Sequence, residues 1–152
     1  MATSQPTPGT TATATLVVSH GDLASTAADD NNDDSNDTGI ELPAVLSTPR
    51  MIALMELAAA RLLAPSLPAG HVSVGTHVAV AHTAATPLGA AVTATATLTA
   101  VEGRAYAFDV EASDAAGETG RGTHRRAVVE VARLKRGVEA RAERIEKGGQ
   151  GS

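Results

Sequence analysis

Cysteine is absent from the 152 residues of this chain, which excludes disulfide bonds, thiolate metal sites and a cysteine nucleophile. Large rings are almost absent too, because Tyr106 and Phe108 are the only aromatic residues. Apolar residues still make up 43% of the chain, so Ala, Val and Leu side chains can form a core. Such a core must pack tightly, because almost no large ring is available to fill gaps.

Long apolar runs are also missing. A membrane-spanning helix requires roughly 18 consecutive apolar residues, and the best candidate, residues 51–65, is interrupted by Glu56 and Arg61. The N-terminus lacks the basic stretch followed by an apolar run that is typical of a secretory signal. We therefore expect a cytoplasmic protein with no membrane attachment, with a cleaved organellar peptide left open by the Thr-, Ala- and Ser-rich N-terminus.

Acidic residues are concentrated in one segment. The net charge is -5, from 12 basic and 17 acidic residues. Without the six aspartates between positions 22 and 37, 12 basic residues face 11 acidic ones, so the rest of the chain can accept a polyanionic ligand. No Lys/Arg tract with interleaved aromatics is present, so we expect no nucleic-acid partner. The six are Asp22, Asp29, Asp30, Asp33, Asp34 and Asp37.

The chain length fits one domain. We predict that it covers residues 10–134, preceded by a disordered N-terminus (1–9) and followed by a charged tail (135–152) that can extend as a short helix. Residues 20–39 contain the aspartates and almost nothing to bury, so we expect a flexible, solvated loop that is dispensable for folding.

One helix is predicted clearly, from Pro49 to about Leu63. Thr48 is suited to cap it, and Pro49 suits the first helical position, where no N–H is needed. Residues 51–63 contain no helix breaker, and Pro65 follows. Apolar residues occur nearly all round, which predicts a helix buried on most sides.

The rest of the sequence alternates with a period of two, which is typical of strands. A sheet of five antiparallel strands wrapped around one central helix satisfies this order, which gives an α+β protein with the hot-dog fold. A lone sheet of this size usually pairs with a second copy, so we expect a homodimer. The predicted strands are Thr10–Ser19, Val72–Ala85, Ala90–Val101, Ala105–Ser113 and Thr119–Leu134.

Three residues are candidates for chemistry. Glu56 lies on an apolar helix face, where a carboxylate is costly unless it is paired or used; the structural alternative is a salt bridge to Arg61 or Arg126. Thr48 begins the helix and can serve simply as its cap. His82 ends a strand and can equally be a structural histidine. The remaining histidines are weaker candidates: His20, His71, His77 and His124.

Several common sites are excluded by missing motifs. No two histidines have the spacing of a metal pair, so we predict no metal. The chain contains no nucleophile elbow, P-loop or dinucleotide fingerprint, and we expect no cofactor.

At the candidate residues the chain resembles a known family. Residues 42–134 are similar to the fluoroacetyl-CoA thioesterases, a branch of the hot-dog superfamily. The His-Thr-Ala-Ala-Thr-Pro run and its distance from the helix glutamate carry most of the likeness. The matching segments are TPRMIALMELA, VGTHVAVAHTAATPLG, VEGR and GTHRRAVV.

The resemblance implies an acyl-CoA substrate and a catalytic set of Thr48, Glu56 and His82. It also implies that Gly75 lies beside the thioester and that Arg126 holds the pantetheine or the local structure. The family's fluoroacetyl-specific member has an aromatic-rich lid before the helix, whereas this chain has GIELPAVLST there, with Leu42 as the lid residue. We therefore predict a thioesterase for short acyl-CoA.

Two other functions are compatible with the same fold. One is a non-catalytic module that binds acyl-CoA, and the other is a hydratase or dehydratase that acts on hydroxyacyl thioesters. A binding module has no use for a buried glutamate, so the presence of all three polar residues favours hydrolysis.

Overall fold

The computed structural model describes residues 5–25 and 42–149. Five antiparallel strands form one sheet in the order β1-β3-β4-β5-β2, and one helix packs against it, which confirms the predicted hot-dog fold. A second helix continues from the last strand. The elements are β1 (Thr11–Val17), α1 (Thr48–Leu63), β2 (His71–His82), β3 (Ala91–Glu102), β4 (Ala105–Asp114), β5 (Gly117–Glu130) and α2 (Val131–Gly149).

The core lies between one face of α1 and alternate residues of the sheet. Every second residue of β3 and β4 is buried there, as strand geometry requires. Small side chains dominate, and Phe108 is the largest fully buried one. α1 is less buried than predicted, because Leu57 is exposed and Glu56 is half-buried. Its buried residues are Met51, Leu54, Met55, Ala58, Ala59, Leu62 and Leu63.

The first turn of α1 differs by one residue from the prediction. Ser47, not Thr48, is the N-cap, and its Oγ accepts a hydrogen bond from the Arg50 N–H at 3.3 Å. The chain enters the helix in this position because the Ser47 N–H donates to the Asp22 carbonyl at 2.9 Å. Thr48 is therefore the first helical residue, and its hydroxyl is free for another partner.

The predicted disorder of residues 1–9 is wrong for residues 5–9. The Gly9 N–H donates to the Leu98 carbonyl at 2.8 Å, which extends the β1–β3 pairing. The Gln5 amide donates to the Tyr106 hydroxyl at 3.1 Å. Residues 1–4 lie outside the described residues.

Asp22 is also placed differently from the prediction of a flexible loop over residues 20–39. It is only 3% exposed, forms an ion pair with Arg50 at 2.9 Å, and accepts hydrogen bonds from the Ser19 N–H and hydroxyl. Leu23 next to it is buried. The chain preceding the acidic run thus has an apolar anchor and an ionic one. The remainder of the acidic segment, residues 26–41, lies outside the described residues.

The predicted last strand is too long at its C-terminal end. Glu130 pairs with His71, the first residue of β2, so no neighbouring strand is available to pair with the following residues. The chain therefore continues as α2, which is nineteen residues long and has no buried residue. The helix begins four residues before the predicted tail. No helix within the described residues is long and apolar enough to cross a membrane.

β2 forms one edge of the sheet and contains an irregularity. It pairs with β5 on one side, and its other side has no partner strand in the described part of the chain. The register shifts between Gly75 and His77, which leaves Thr76 unpaired in a β-bulge. Bulges are common beside active sites, because they redirect side chains.

Candidate active site

α1 and β2 hold the three predicted catalytic residues. Thr48 lies in the first turn of α1, and His82 is the last residue of β2. The Thr48 Oγ1 and His82 Nδ1 atoms are 2.8 Å apart, which is a hydrogen bond. The site is thus formed where the N-terminus of the helix meets the end of the edge strand.

The second ring nitrogen of His82 has no partner. Nε2 is buried, and no described residue forms a hydrogen bond with it. Buried polar atoms are nearly always satisfied, so an open one at a helix N-terminus indicates a place for substrate or water. The Thr119 hydroxyl is similarly buried without a partner; it precedes Gly120, which pairs with His82.

Glu56 lies two turns further along α1, about 12 Å along the helix axis from Thr48. Its carboxylate faces Gly75, seven residues before His82 in β2, and not the Thr48–His82 hydrogen bond itself. Within residues 5–25 and 42–149, the Glu56 carboxylate forms no hydrogen bond and no ion pair. The predicted structural alternative, a salt bridge to Arg61 or Arg126, is therefore absent from this arrangement.

Gly75 of β2 lies directly against this carboxylate. A Cβ atom at this position would be 3.2 Å from Glu56 Oε1 and 3.2 Å from His124 Cε1. Any larger side chain would have to displace one of these two groups. Glycine therefore keeps the space beside the Glu56 carboxylate open.

His124 and Arg126 are neighbouring polar residues of β5; the sequence analysis undervalued His124, whereas it expected Arg126 to hold the pantetheine or the local structure. His124 is 1% exposed, and its Nδ1 lies 2.8 Å from the His77 carbonyl oxygen. Arg126 is 7% exposed; its Nε and Nη2 donate to the Ser73 hydroxyl and carbonyl at 2.9 and 2.8 Å. The Arg126 Nη1 lies 3.3 Å from His124 Nε2. Their spacing of two residues in a strand is the sequence signal for a shared face.

The surroundings of His124 favour its neutral form. Burial lowers the pKa of the imidazole, and the charge of Arg126 lowers it further. Burial also lowers the pKa of the Arg126 guanidinium. The negative charge of Glu56 acts in the opposite direction on both residues. Glu56 is therefore the anion that this buried pair faces.

The segment before α1 covers the loop that follows His82. The Leu46 N–H donates to the Thr86 carbonyl at 2.9 Å, and Val45 forms a β-bridge with Pro87. Leu42, at the start of this segment, is 39% exposed, so its role in substrate binding stays a prediction. No group of three or more His, Asp or Glu residues in the described segments is arranged to hold a metal ion.

Together these groups can carry out acyl transfer to water. An unpaired carboxylate can act as a nucleophile or a general base. A histidine with one ring nitrogen fixed and the other open can transfer a proton. The helix N-terminus favours negative charge that develops nearby.

Comparison with known proteins gives consistent matches. The model of the fluoroacetyl-CoA-specific thioesterase (FlK) family matches residues 30–132. A fluoroacetyl-CoA thioesterase of Streptantibioticus cattleyicolor is 50% identical over 91 residues, which are 60% of this chain and 66% of that protein. The match therefore spans just under two thirds of that relative.

Solved structures are similar over most of the chain. A phenylalanine-to-alanine mutant of FlK superposes with a TM-score of 0.82 and 35% identity, covering 91% of this chain and 99% of that one. A threonine-to-serine mutant of FlK in complex with acetyl-CoA gives 0.79 and 35%, covering 90% and 98%. A thioesterase superfamily member of Thermus thermophilus gives 0.80 at 23% identity, covering 93% and 96%, which shows the fold alone.

Proposed function

This chain belongs to the fluoroacetyl-CoA-specific thioesterase family, and on that premise we propose that it hydrolyses short acyl-CoA thioesters, with Thr48, Glu56 and His82 as the catalytic set. The observation that carries the proposal is the hydrogen-bonded Thr48–His82 pair at the start of the same helix that holds an unpaired Glu56 carboxylate against Gly75. His82 is fixed by Thr48 at 2.8 Å, while its other nitrogen is buried and unpartnered. The cytoplasmic location stays a prediction made from the sequence.

In this proposal Glu56 starts the reaction at the thioester carbonyl. It either removes a proton from water, whose hydroxide adds to the carbonyl carbon, or attacks that carbon itself. Direct attack gives a mixed anhydride, which water then cleaves. Gly75 leaves the space in which the carbonyl approaches the carboxylate. Both routes break the carbon–sulfur bond and yield the free acid and CoA.

His82 supplies the proton for the departing thiolate. When the Thr48 hydroxyl donates to Nδ1, the proton of the neutral ring is on Nε2, the open nitrogen. That proton goes to the thiolate sulfur as the carbon–sulfur bond breaks, and the ring regains one from the proton that Glu56 or solvent holds. Thr48 thus fixes the orientation of the ring.

The substrate class follows from relatives and from the segment before α1. The names of the relatives specify fluoroacetyl-CoA, and FlK mutants have been solved with fluoroacetate and with acetyl-CoA. Residues 39–48 of this chain offer aliphatic side chains and no aromatic ring. This favours a thioesterase for short acyl groups in general, with Leu42 contacting the substrate. Arg126 is nearly buried and its guanidinium contacts Ser73 and His124, so we assign it to holding the local structure and not to binding the pantetheine.

We also propose that the active form is a homodimer paired through β2. Val78 faces the same side as His124, its partner in the register, and yet it is 37% exposed. The site is therefore uncovered along the edge strand. A second copy paired along this edge covers both the unpaired backbone groups and the exposed side of the site.

The test is release of free CoA from acetyl-CoA, followed with a thiol reagent. Glu56→Gln keeps the side-chain shape but removes the charge, and it should lower kcat at least about a hundredfold, as expected for loss of a nucleophile or general base. His82→Ala should be severely impaired as well. Circular dichroism shows whether each variant is folded.

Each outcome separates the competing functions. A binding module or a dehydratase releases no free CoA from acetyl-CoA in the wild-type protein. If wild type releases CoA and folded Glu56→Gln does so at the same rate, the assignment of Glu56 is wrong. The proposal for the site then fails, although the protein remains a thioesterase.

A further inference from the structure

His124 is a buried titratable residue that the proposed hydrolysis does not use. Its ring is 1% exposed and lies between three groups from different strands. The His77 carbonyl of β2 is on one side, the Arg126 guanidinium of β5 is on another, and Phe108 of β4 packs at a ring-centroid distance of 6.1 Å. A polar ring in such a position needs a physical reason, because its burial is costly unless its nitrogens are satisfied.

The contacts of His124 define its tautomer. A carbonyl oxygen can only accept, so the Nδ1 that lies 2.8 Å from the His77 oxygen must carry the proton. A guanidinium can only donate, so Nε2 must be the unprotonated acceptor of the Arg126 Nη1 at 3.3 Å. Both nitrogens are therefore satisfied in the neutral ring and in one tautomer only. A proton on Nε2 would break the contact with Arg126.

This ring adds side-chain contacts to the pairing of β2 with β5 beside the bulge. The His77 carbonyl belongs to the bulge of β2, which follows Gly75 immediately. Arg126 is bound at its other end to Ser73, two residues before Gly75. His124 and Arg126 together therefore bind β2 on both sides of Gly75.

The same point faces the Glu56 carboxylate. A Cβ atom on Gly75 would be 3.2 Å from both Glu56 Oε1 and His124 Cε1, so the glycine backbone, the carboxylate and the imidazole edge meet there. The charged and titratable groups around His124 are Glu56 from α1, His77 from β2 and Arg126 from β5. Arg126 is the fixed cation of this set, and Glu56 is its only anion in the described residues.

We propose that His124 is a positioning residue for Glu56: as the neutral Nδ1–H tautomer, it accepts from Arg126, fixes the guanidinium on Ser73, and so holds the Gly75 segment against the carboxylate. It touches neither substrate nor the reacting atoms. It acts by fixing the distance between Glu56 and the thioester carbonyl that approaches over Gly75. This inference rests on the proposed role of Glu56.

Two substitutions separate the two hydrogen bonds of His124. In His124→Gln, the amide oxygen lies where Nε2 was and can still accept from Arg126. In His124→Asn, the amide nitrogen lies where Nδ1 was and can still donate to the His77 carbonyl, but Arg126 loses its acceptor. We expect His124→Asn to lower kcat about tenfold to a hundredfold, as small misplacements of reacting groups do, with KM nearly unchanged. His124→Gln should keep most of the wild-type kcat.

Leu98→Ala serves as the control for lost stability. Leu98 is a buried residue of β3 in the core. The Leu98→Ala protein should be less stable, but those of its molecules that are folded should keep the wild-type kcat. If the His124 variants lower kcat only in proportion to their folded fraction, as this control does, His124 is purely structural. Equal kcat values for the Asn and Gln variants would also overturn the role of the Arg126 contact.

A double variant shows whether His124 acts through Glu56. If it does, adding His124→Asn to Glu56→Gln should cause no further loss of kcat, because the positioned group is already gone. Full additivity of the two losses would overturn the proposal. If Glu56→Gln alone leaves kcat unchanged, the proposed role of Glu56 is wrong. This result differs from additive losses, which would contradict only the role of His124.

One measurement needs no variant. In ¹⁵N-labelled wild-type protein, the His124 nitrogens should show a protonated Nδ1 and an unprotonated Nε2 throughout the pH range in which the enzyme is active. A ring protonated on Nε2 at the pH of maximal activity would contradict the proposal, even if the Asn and Gln variants do not fold.

Discussion

Two neighbouring hydroxyl residues at the start of α1 have different tasks. Ser47 caps the helix by accepting from the Arg50 N–H, whereas Thr48 forms a hydrogen bond with His82. The sequence Ser-Thr-Pro permits either residue to be the cap, since both types are favoured there. The contacts of Leu46 and Ser47 with Thr86 and Asp22 decide between them. Such contacts join distant parts of the chain, so a local pattern could not reveal them.

This division of tasks predicts that alanine at position 47 affects stability, whereas alanine at position 48 affects catalysis. Ser47→Ala should lower the free energy of unfolding by about 1 kcal/mol through the lost cap, with little change in kcat. Thr48→Ala should leave stability nearly unchanged and lower kcat about tenfold, because His82 loses the hydrogen bond that orients its ring. Thr48→Ser keeps the hydroxyl and should restore most of the activity. Urea unfolding and CoA release measure the two effects, and a Thr48→Ala enzyme as fast as wild type would contradict the prediction.

Asp22 predicts a dependence of stability on pH. Burial favours the protonated carboxyl, but hydrogen bonds from Ser19 and Arg50 outweigh it and hold the pKa of Asp22 below its ordinary value of 3.8. A lowered pKa in the folded state stabilises the protein at pH values above 3.8, and this contribution is lost as the pH falls through the folded pKa.

The variant Asp22→Asn should therefore be less stable than wild type at pH 7, by about 1.5 kcal/mol for hydrogen bonds to a charged group. The difference should shrink below pH 3.8. Urea unfolding of both proteins over a series of pH values measures it. A difference that stays constant from pH 7 to pH 3 would show that the charge of Asp22 is not the cause.

At the scale of elements, two glycines of β5 allow β2 to pack closely. A Cβ atom on Gly120 would lie 2.7 Å from the Ala81 carbonyl oxygen, and one on Gly122 would collide with the Ala79 carbonyl oxygen. These contacts are with backbone, which cannot move aside cheaply. By contrast, a Cβ atom on Gly137 of α2 would meet nothing within 4 Å.

A glycine-to-alanine substitution should therefore lower the free energy of unfolding in β5 and raise it in α2. Gly122→Ala should destabilise the protein by about 3 kcal/mol or more, because overpacking forces the two strands apart. Gly137→Ala should stabilise it by about 0.5–1 kcal/mol, because alanine is the better helix former. Thermal unfolding measures both. A Gly122→Ala variant as stable as wild type would mean that β2 and β5 are not packed this closely.

Elements were predictable from the sequence where local pattern and partner agree. β3 and β4 were placed correctly because their apolar periodicity matches their burial. α1 was placed correctly because Pro49 and Pro65 mark its two ends. The end of β5 was not, because Val129 and Val131 continue the period of two although pairing ends at Glu130, opposite His71. His124 was undervalued for a similar reason: its partners, the His77 carbonyl and Arg126, are brought to it by pairing of β2 with β5.

At the scale of the whole molecule, the sheet has two edges of different character. β1 is a short edge strand of seven residues, and β2 is a longer one of twelve. Exposed valines occur on both, at Val17 and at Val78. Only the β2 edge borders the candidate active site, so the proposed dimer should depend on it and not on β1.

A charge on each edge tests this proposal. Val78→Lys should weaken the dimer, because a lysine would be buried against the second copy. Val17→Lys is the matched control, and it should leave the oligomeric state unchanged. Sedimentation at micromolar concentration measures the mass of each variant. A wild-type monomer, or a Val78→Lys dimer as stable as wild type, would contradict pairing through β2.

The unpaired Thr76 decides which face of β2 is occupied by the residues on either side of it. Seven positions separate Gly75 from His82, and an odd number in an uninterrupted strand would turn them to opposite faces. The extra residue corrects this parity, so both reach the side on which α1 holds Glu56 and Thr48. Insertion or deletion of one residue in this interval would move the side chains of half of the strand to the opposite face. Insertion or deletion of two residues would leave every side chain on its present face. The number of residues between Gly75 and His82 is therefore as important for the site as the identity of its side chains.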